Sequence, residues 1–196
     1  MSVVLSAASC LAWVTKLTGF TDEKSLLDEV EKLDFSSPSS VMFLPYLSGE
    51  RTPHNNPNAK GVFFGLDHNT NAAELGRAVL EGIAYAFADG QQALLAAGTK
   101  IDQVSVIGGG ARSALWGKIL ASALNTPLTY RKGAEVGPAF GAARLAKIGV
   151  TKLSASEVCH ASEVDFVIEP DSIMQDYYKT QHKKYQQLYQ SLKAHF

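Results

Sequence analysis

The chain has 196 residues, enough for a domain with a sizeable core, and 46% are hydrophobic, which excludes disordered and collagen-like classes. Eighteen Lys and Arg against nineteen Asp and Glu leave a net charge of -1, so nothing in the charge balance points to a polyanion such as nucleic acid. Cys10 and Cys159 stand far apart with no C-x-x-C pair, which argues against a disulfide framework or a zinc site and suits a reducing, cytoplasmic setting.

Residues 3–14 are apolar, but no Lys or Arg precedes them, and Trp13, Lys16 and Gly19 interrupt the run short of a membrane span. They read as a core-facing helix over about residues 6–17. A second helix is expected over residues 21–32, opened by Thr21 or Asp22, with Leu26, Leu27, Val30 and Leu33 inward and Glu23, Lys24, Asp28, Glu29 and Lys32 outward. A serine-rich loop with Pro38 leads to an apolar strand at residues 41–47, expected to be central in its sheet.

Residues 48–60 form a polar loop too long for a hairpin turn, and long loops beside core strands often carry function. His54 has no second ligand at metal spacing, and Glu50 beside Arg51 reads as a local ion pair rather than a binding pair. Residues 61–66 read as a strand. Residues 74–97 read as a long helix with Leu75, Val79, Gly82, Ile83, Ala86, Phe87 and Leu94 on one side and Arg77 placed to pair with Glu81 four residues on.

The next strand, residues 104–107, runs into Gly108-Gly109-Gly110-Ala111-Arg112, and Ser113 is placed to cap a helix over residues 114–124. Strand, glycine turn and helix N-terminus suit a ligand that touches backbone, such as a nucleotide, and equally a tight connection that needs small residues. A strand at residues 128–131 and a helix at 137–148 follow, the helix carrying Gly137, Gly141 and Ala142 on one face. Beyond Thr151 the chain reads as irregular, then as a polar amphipathic helix over residues 172–193 with Tyr178, Tyr185, Leu188 and Leu192, laid on the surface. The alternation makes an α/β domain with partly parallel strands.

Several motifs in order resemble the FGGY family of carbohydrate kinases. Gly61-x-Phe63-x-Gly65-Leu66, a seven-residue spacer, Glu74-Leu75, two residues, and Ala78-Val79-Leu80-Glu81 are similar to its C-terminal signature. The run L-P-Y-L-S-G-E-R-T-P-H-N-N-P, residues 44–57, looks like the xylulose-kinase branch. Gly108-Gly109-Gly110-Ala111 resembles the adenosine motif of the actin, hexokinase and heat-shock ATPase superfamily, and residues 136–143 its second connecting helix.

The resemblance implies a ribonuclease H-like (actin-like ATPase) α/β domain, a mixed sheet flanked by helices and lacking its first strands. Residues 1–150 would be the C-terminal kinase lobe, the adenosine-binding half, and 151–196 an irregular segment and surface helix of the same lobe. Gly108, Gly109, Gly110, Ala111, Arg112 and Ser113 would bind the cofactor ATP, with Ala7 and Ala12 offering shape from the first helix. Ala114 stands where some relatives carry an asparagine. Mg2+ would accompany ATP in the complete enzyme, D-xylulose would be the substrate, and an N-terminal lobe would meet the helix over residues 137–143.

No D-x-G-T occurs, and Asp22, Asp34, Asp67, Asp89 and Asp102 lie in contexts unlike that of the family's base, so no catalytic residue and no metal ligand are assigned. The chain alone is then expected to be inactive and to self-associate through strand edges or the 137–143 face. A non-catalytic nucleotide-binding or interaction module is the alternative. An NAD(P) enzyme is disfavoured, because G-x-G-x-x-G ends in Ser113 and Arg131 and Lys132 follow the next strand where an acidic residue belongs.

Overall fold

The computed structural model describes residues 1–133 and 136–196, and its buried side chains gather into a large and a small cluster. The large one is enclosed by α1 (Ala8–Leu17), α2 (Glu23–Val30), the antiparallel pair β1 (Met42–Pro45) and β2 (Gly61–Phe64), and α3 (Ala72–Ala96). Asp22 caps α2 by accepting from the Ser25 amide at 2.7 Å. Asn71 and Glu74 close a capping box on α3, each side chain accepting from the other's amide, which stabilises such a helix start by about 1 kcal/mol.

Small residues let α3 sit directly on its neighbours. A Cβ at Gly82 would collide with the Phe43 carbonyl of β1, and one at Gly76 would meet Val30 and Leu26 of α2. The strand expected to be central is buried, but among the described residues its one strand partner is β2. Its apolar run reflects cover by helices rather than by strands on both sides.

The small cluster belongs to a second sheet of β3 (Val104–Val106), β4 (Leu128–Arg131) and β5 (Val164–Ile168), ordered β3-β4-β5, with β4 parallel to β3 and antiparallel to β5. Helix α4 (Ala114–Leu124) joins β3 to β4 and links the clusters: Trp116 and Ile119 are buried in the large one, Ala121 in the small one. Strand β5 falls in the stretch expected to be irregular. Four of its five residues are exposed, so no burial alternation marks it, and its extended form comes from pairing with β4.

Helix α5 (Pro138–Thr151) begins with Pro138 at its first turn and buries none of its residues; Val136 just before it and Phe140, Leu145 and Val150 along it are exposed. The short α6 (Ala155–Val158) follows. Helix α7 (Ser172–Leu192), expected on the surface, instead places Met174, Tyr178, His182, Tyr185 and Tyr189 in the interior. Tyrosines and a histidine at steps of three and four make an apolar stripe with polar tips, which reads as polar in sequence. Those tips are satisfied: Tyr178 donates to Glu81 Oε1 at 3.1 Å, and the Tyr185 and Tyr46 hydroxyls meet at 2.7 Å.

Candidate functional site

Strand β3 stops where the chain turns through Gly108, whose φ of 85° and ψ of -167° suit only glycine. Residues Gly109–Arg112 then wind one 3-10 turn, closed by the Ala111 amide donating to the Gly108 carbonyl at 3.1 Å. Ser113 ends it by capping α4, its Oγ accepting from the Trp116 amide at 3.1 Å. A Cβ on Gly109 would meet nothing within 4 Å, whereas one on Gly110 would lie 3.1 Å from the Trp116 ring. Gly109 therefore presents bare backbone to open space, and Gly110 rests on an indole.

That open space is a cleft of about 700 Å³, within the range of small-molecule sites. Gly109, Gly110, Arg112 and Ser113 form one side, Ala114 and Trp116 continue it into α4, and α1 and α2 form the other side through Ala8, Leu11, Glu23, Lys24, Leu27, Asp28 and Glu31. Four of the six sequence-predicted residues thus line the cleft. Gly108 supplies the turn behind it, and Ala111 packs against the small cluster.

On α1, Ala8 and Leu11 line the cleft in place of Ala7 and Ala12. Ala7 is packed against the core, and Ala12 lies exposed outside the lining. The α2 wall was not foreseen as part of a site, because charged residues at helical spacing look the same on a solvated face and on a cleft wall. Lys24 Nζ lies 2.7 Å from Asp28 Oδ2 there, and that hydrogen bond raises the lysine pKa.

The polar loop at residues 48–60 lies outside this cleft lining. Its expected Glu50–Arg51 ion pair does not form. Glu50 is 2% exposed, and its Oε1 accepts from the backbone amides of Arg51 at 2.7 Å and Leu5 at 3.2 Å, while Arg51 points to solvent. Burial raises the Glu50 pKa. Beside it, Val3 and Thr52 exchange two hydrogen bonds of 3.1 Å, so the loop holds the segment that leads into α1. His54 stacks on Tyr189 at 3.6 Å and bonds the Tyr46 hydroxyl at 2.9 Å, a packing role in which burial lowers its pKa. Among the described residues no group of three His, Cys, Asp or Glu could hold a metal ion, and no helix is long and apolar enough to cross a membrane.

An antiparallel strand pair, a separate three-stranded mixed sheet and a glycine turn feeding a capped helix match solved sugar kinases, which places the chain in the ribonuclease H-like, actin-like ATPase class. The FGGY family of carbohydrate kinases, C-terminal domain, matches residues 2–150, and the chain belongs to that family. It is 49% identical over 193 residues to a xylulose kinase of Escherichia coli (strain K12), covering 98% of this chain and 40% of that protein. It is 55% identical over 150 residues to a xylulose kinase of Klebsiella pneumoniae, covering 76% of this chain and 31% of that one. Among solved structures it matches a xyloylose kinase from Brucella ovis with a TM-score of 0.89 and 43% identity, covering 100% of this chain and 40% of that chain. The xylulose kinase from Rhodospirillum rubrum matches with a TM-score of 0.82 and 27% identity, covering 98% and 39%. The chain therefore spans at most 40% of the length of these relatives.

Proposed function

We propose that this chain is the adenosine-binding C-terminal lobe of an ATP-dependent cytoplasmic kinase that phosphorylates D-xylulose. The observation that carries the reading is the cleft between the glycine turn and the α1–α2 pair, in a chain of the FGGY family. Its residues fit an adenine nucleotide. Gly109 leaves backbone uncovered where a flat ring can approach, and Leu11, Leu27 and Trp116 supply apolar surface for a base. Arg112 and Ser113 stand at the start of α4, where a helix favours negative charge.

Bound ATP supplies the phosphoryl group that such an enzyme transfers. This chain's part is to fix the nucleoside, so that the polyphosphate is held in one direction and the reacting atoms meet without a further search. No carboxylate of the cleft is assigned as base. In this reading the base, the phosphate loops and most sugar contacts come from an N-terminal lobe, and Mg2+ accompanies the nucleotide's phosphates.

The reading is tested by titrating ATP and ADP into the chain and following backbone amide shifts. Shifts centred on Gly109, Gly110, Arg112 and Ser113 are expected, and Gly109→Val should abolish them. Nucleotide-dependent shifts that survive in that variant would reject the site.

A further inference from the structure

Tyr85 of α3 has its ring held by three rings of α7: edge-on to Tyr178 at 5.7 Å, stacked on His182 at 5.9 Å and tilted against Tyr185 at 5.4 Å. So fixed, the phenol has no way to swing to solvent. Its hydroxyl, on a residue 2% exposed, has no hydrogen-bond partner among the described residues, and a buried hydroxyl left unpaired costs free energy. One turn earlier on the same helix, Glu81 Oε1 accepts from Arg77 Nε at 2.8 Å and from the Tyr178 hydroxyl at 3.1 Å. Glu81 Oε2 receives no donor among the described residues.

Both residues line one small space where α3 meets β1 and α7, with a volume of about 10 Å³, about what one water molecule needs. Ser39 and Gln181 also border it. Ser39 Oγ accepts from the Val41 amide at 3.1 Å, which leaves its own proton to donate, and the Gln181 carboxamide makes no hydrogen bond among the described residues. Polar neighbours of this number are what a buried water uses. We infer that this space is a water site, in which one water accepts from the Tyr85 hydroxyl and donates to Glu81 Oε2, tying the buried Arg77–Glu81 pair to Tyr85 and through its ring to α7. Water suits the site better than a cation. Arg77 already balances the Glu81 charge, and the phenol, kept protonated by burial, adds none.

The test joins a high-resolution crystal structure of the chain to urea unfolding of Tyr85→Phe. A density peak within hydrogen-bond distance of both the Tyr85 hydroxyl and Glu81 Oε2 is expected in the parent. The variant loses one hydrogen bond, so its folding equilibrium constant should fall about fivefold. If the hydroxyl is unpaired instead, removing it leaves stability level or raises it, and that result overturns the site. A parent structure with no density in the space, or with Tyr85 bonded directly to a protein group, overturns it as well, whatever the variant does. Crystals soaked in rubidium chloride separate water from a cation: an anomalous signal at the peak would assign a cation and overturn the inference, and its absence at an occupied peak supports water.

Discussion

Arg77 Nε and Glu81 Oε1 meet at 2.8 Å in the interior, four residues apart on α3, with both side chains almost wholly removed from solvent. The guanidinium also donates to the carbonyls of Asp34 and Ser37, both at 2.6 Å, and lies over the Phe35 ring at 4.3 Å. Glu81, part of the family-like signature, is thus a structural tie between α3, the 34–37 loop and Tyr178 of α7, far in role from any chemistry. Removing one partner of a buried pair costs about 3–5 kcal/mol. Glu81→Ala should lower stability by that amount in urea unfolding with an unchanged m-value, and a loss below about 1 kcal/mol would show that the pair is dispensable.

Glu50 gives a pH-dependent outcome. Burial raises its pKa, the amides of Arg51 and Leu5 oppose that shift, and the charge of Asp89 adds to it. A carboxyl whose pKa is higher in the folded than in the unfolded state favours folding most below the unfolded value, and that contribution is lost as pH rises through the folded value. Glu50→Gln keeps the accepting oxygen and removes the charge. Its stability relative to the parent should therefore rise from the ordinary glutamate range upward and then level off. A difference independent of pH would place the ionised carboxylate in a solvated site.

The glycines separate packing from binding. Gly109→Val should leave the melting temperature unchanged while removing nucleotide binding, since a side chain there meets only the cleft. Gly82→Ala should do the reverse, because the new methyl group collides with the Phe43 carbonyl. Alanine's better helix propensity, about 1 kcal/mol, opposes an overpacking cost of about 1–3 kcal/mol, so net destabilisation is expected in thermal unfolding.

Kinase activity of the chain alone is expected to be at background. It contains no D-x-G-T run and no assigned base, and loss of positioning alone removes many orders of magnitude in rate. ATP- and xylulose-dependent turnover by the pure chain, followed by coupled ADP detection, would contradict this.

Helix α5 leaves Phe140, Leu145 and Val150 in water, spaced around its circumference, and exposed apolar side chains of this kind favour association with a second copy. Sedimentation should show concentration-dependent self-association that Leu145→Lys reduces. A strict monomer at high concentration in the parent chain would oppose it.

Local signals were the legible ones. Ser113 as a cap, Asp22 as a cap and the Arg77–Glu81 pair lie within one or two helical turns, and spacing alone finds them. Strand β5 and the interior face of α7 depend on partners far along the chain, β4 for one and Tyr46, Glu81 and Asp89 for the other. The glycine side of the cleft was readable because its residues are unusual together. The α2 side was not, since Glu23, Asp28 and Glu31 become a wall only once α2 is folded back beside the turn.

The walls of the cleft rest on different foundations. Residues Leu26 and Val30 seat α2 in the large cluster, the glycine turn is anchored through Ala111 to the small one, and α4 joins the two. A molecule bridging the walls would act as a strut between two clusters that α4 already ties together through its packing on α3, α7 and β5. Saturation should then raise the midpoint of melting and slow hydrogen exchange in α2 and in the glycine turn together, although no contact between those two elements changes.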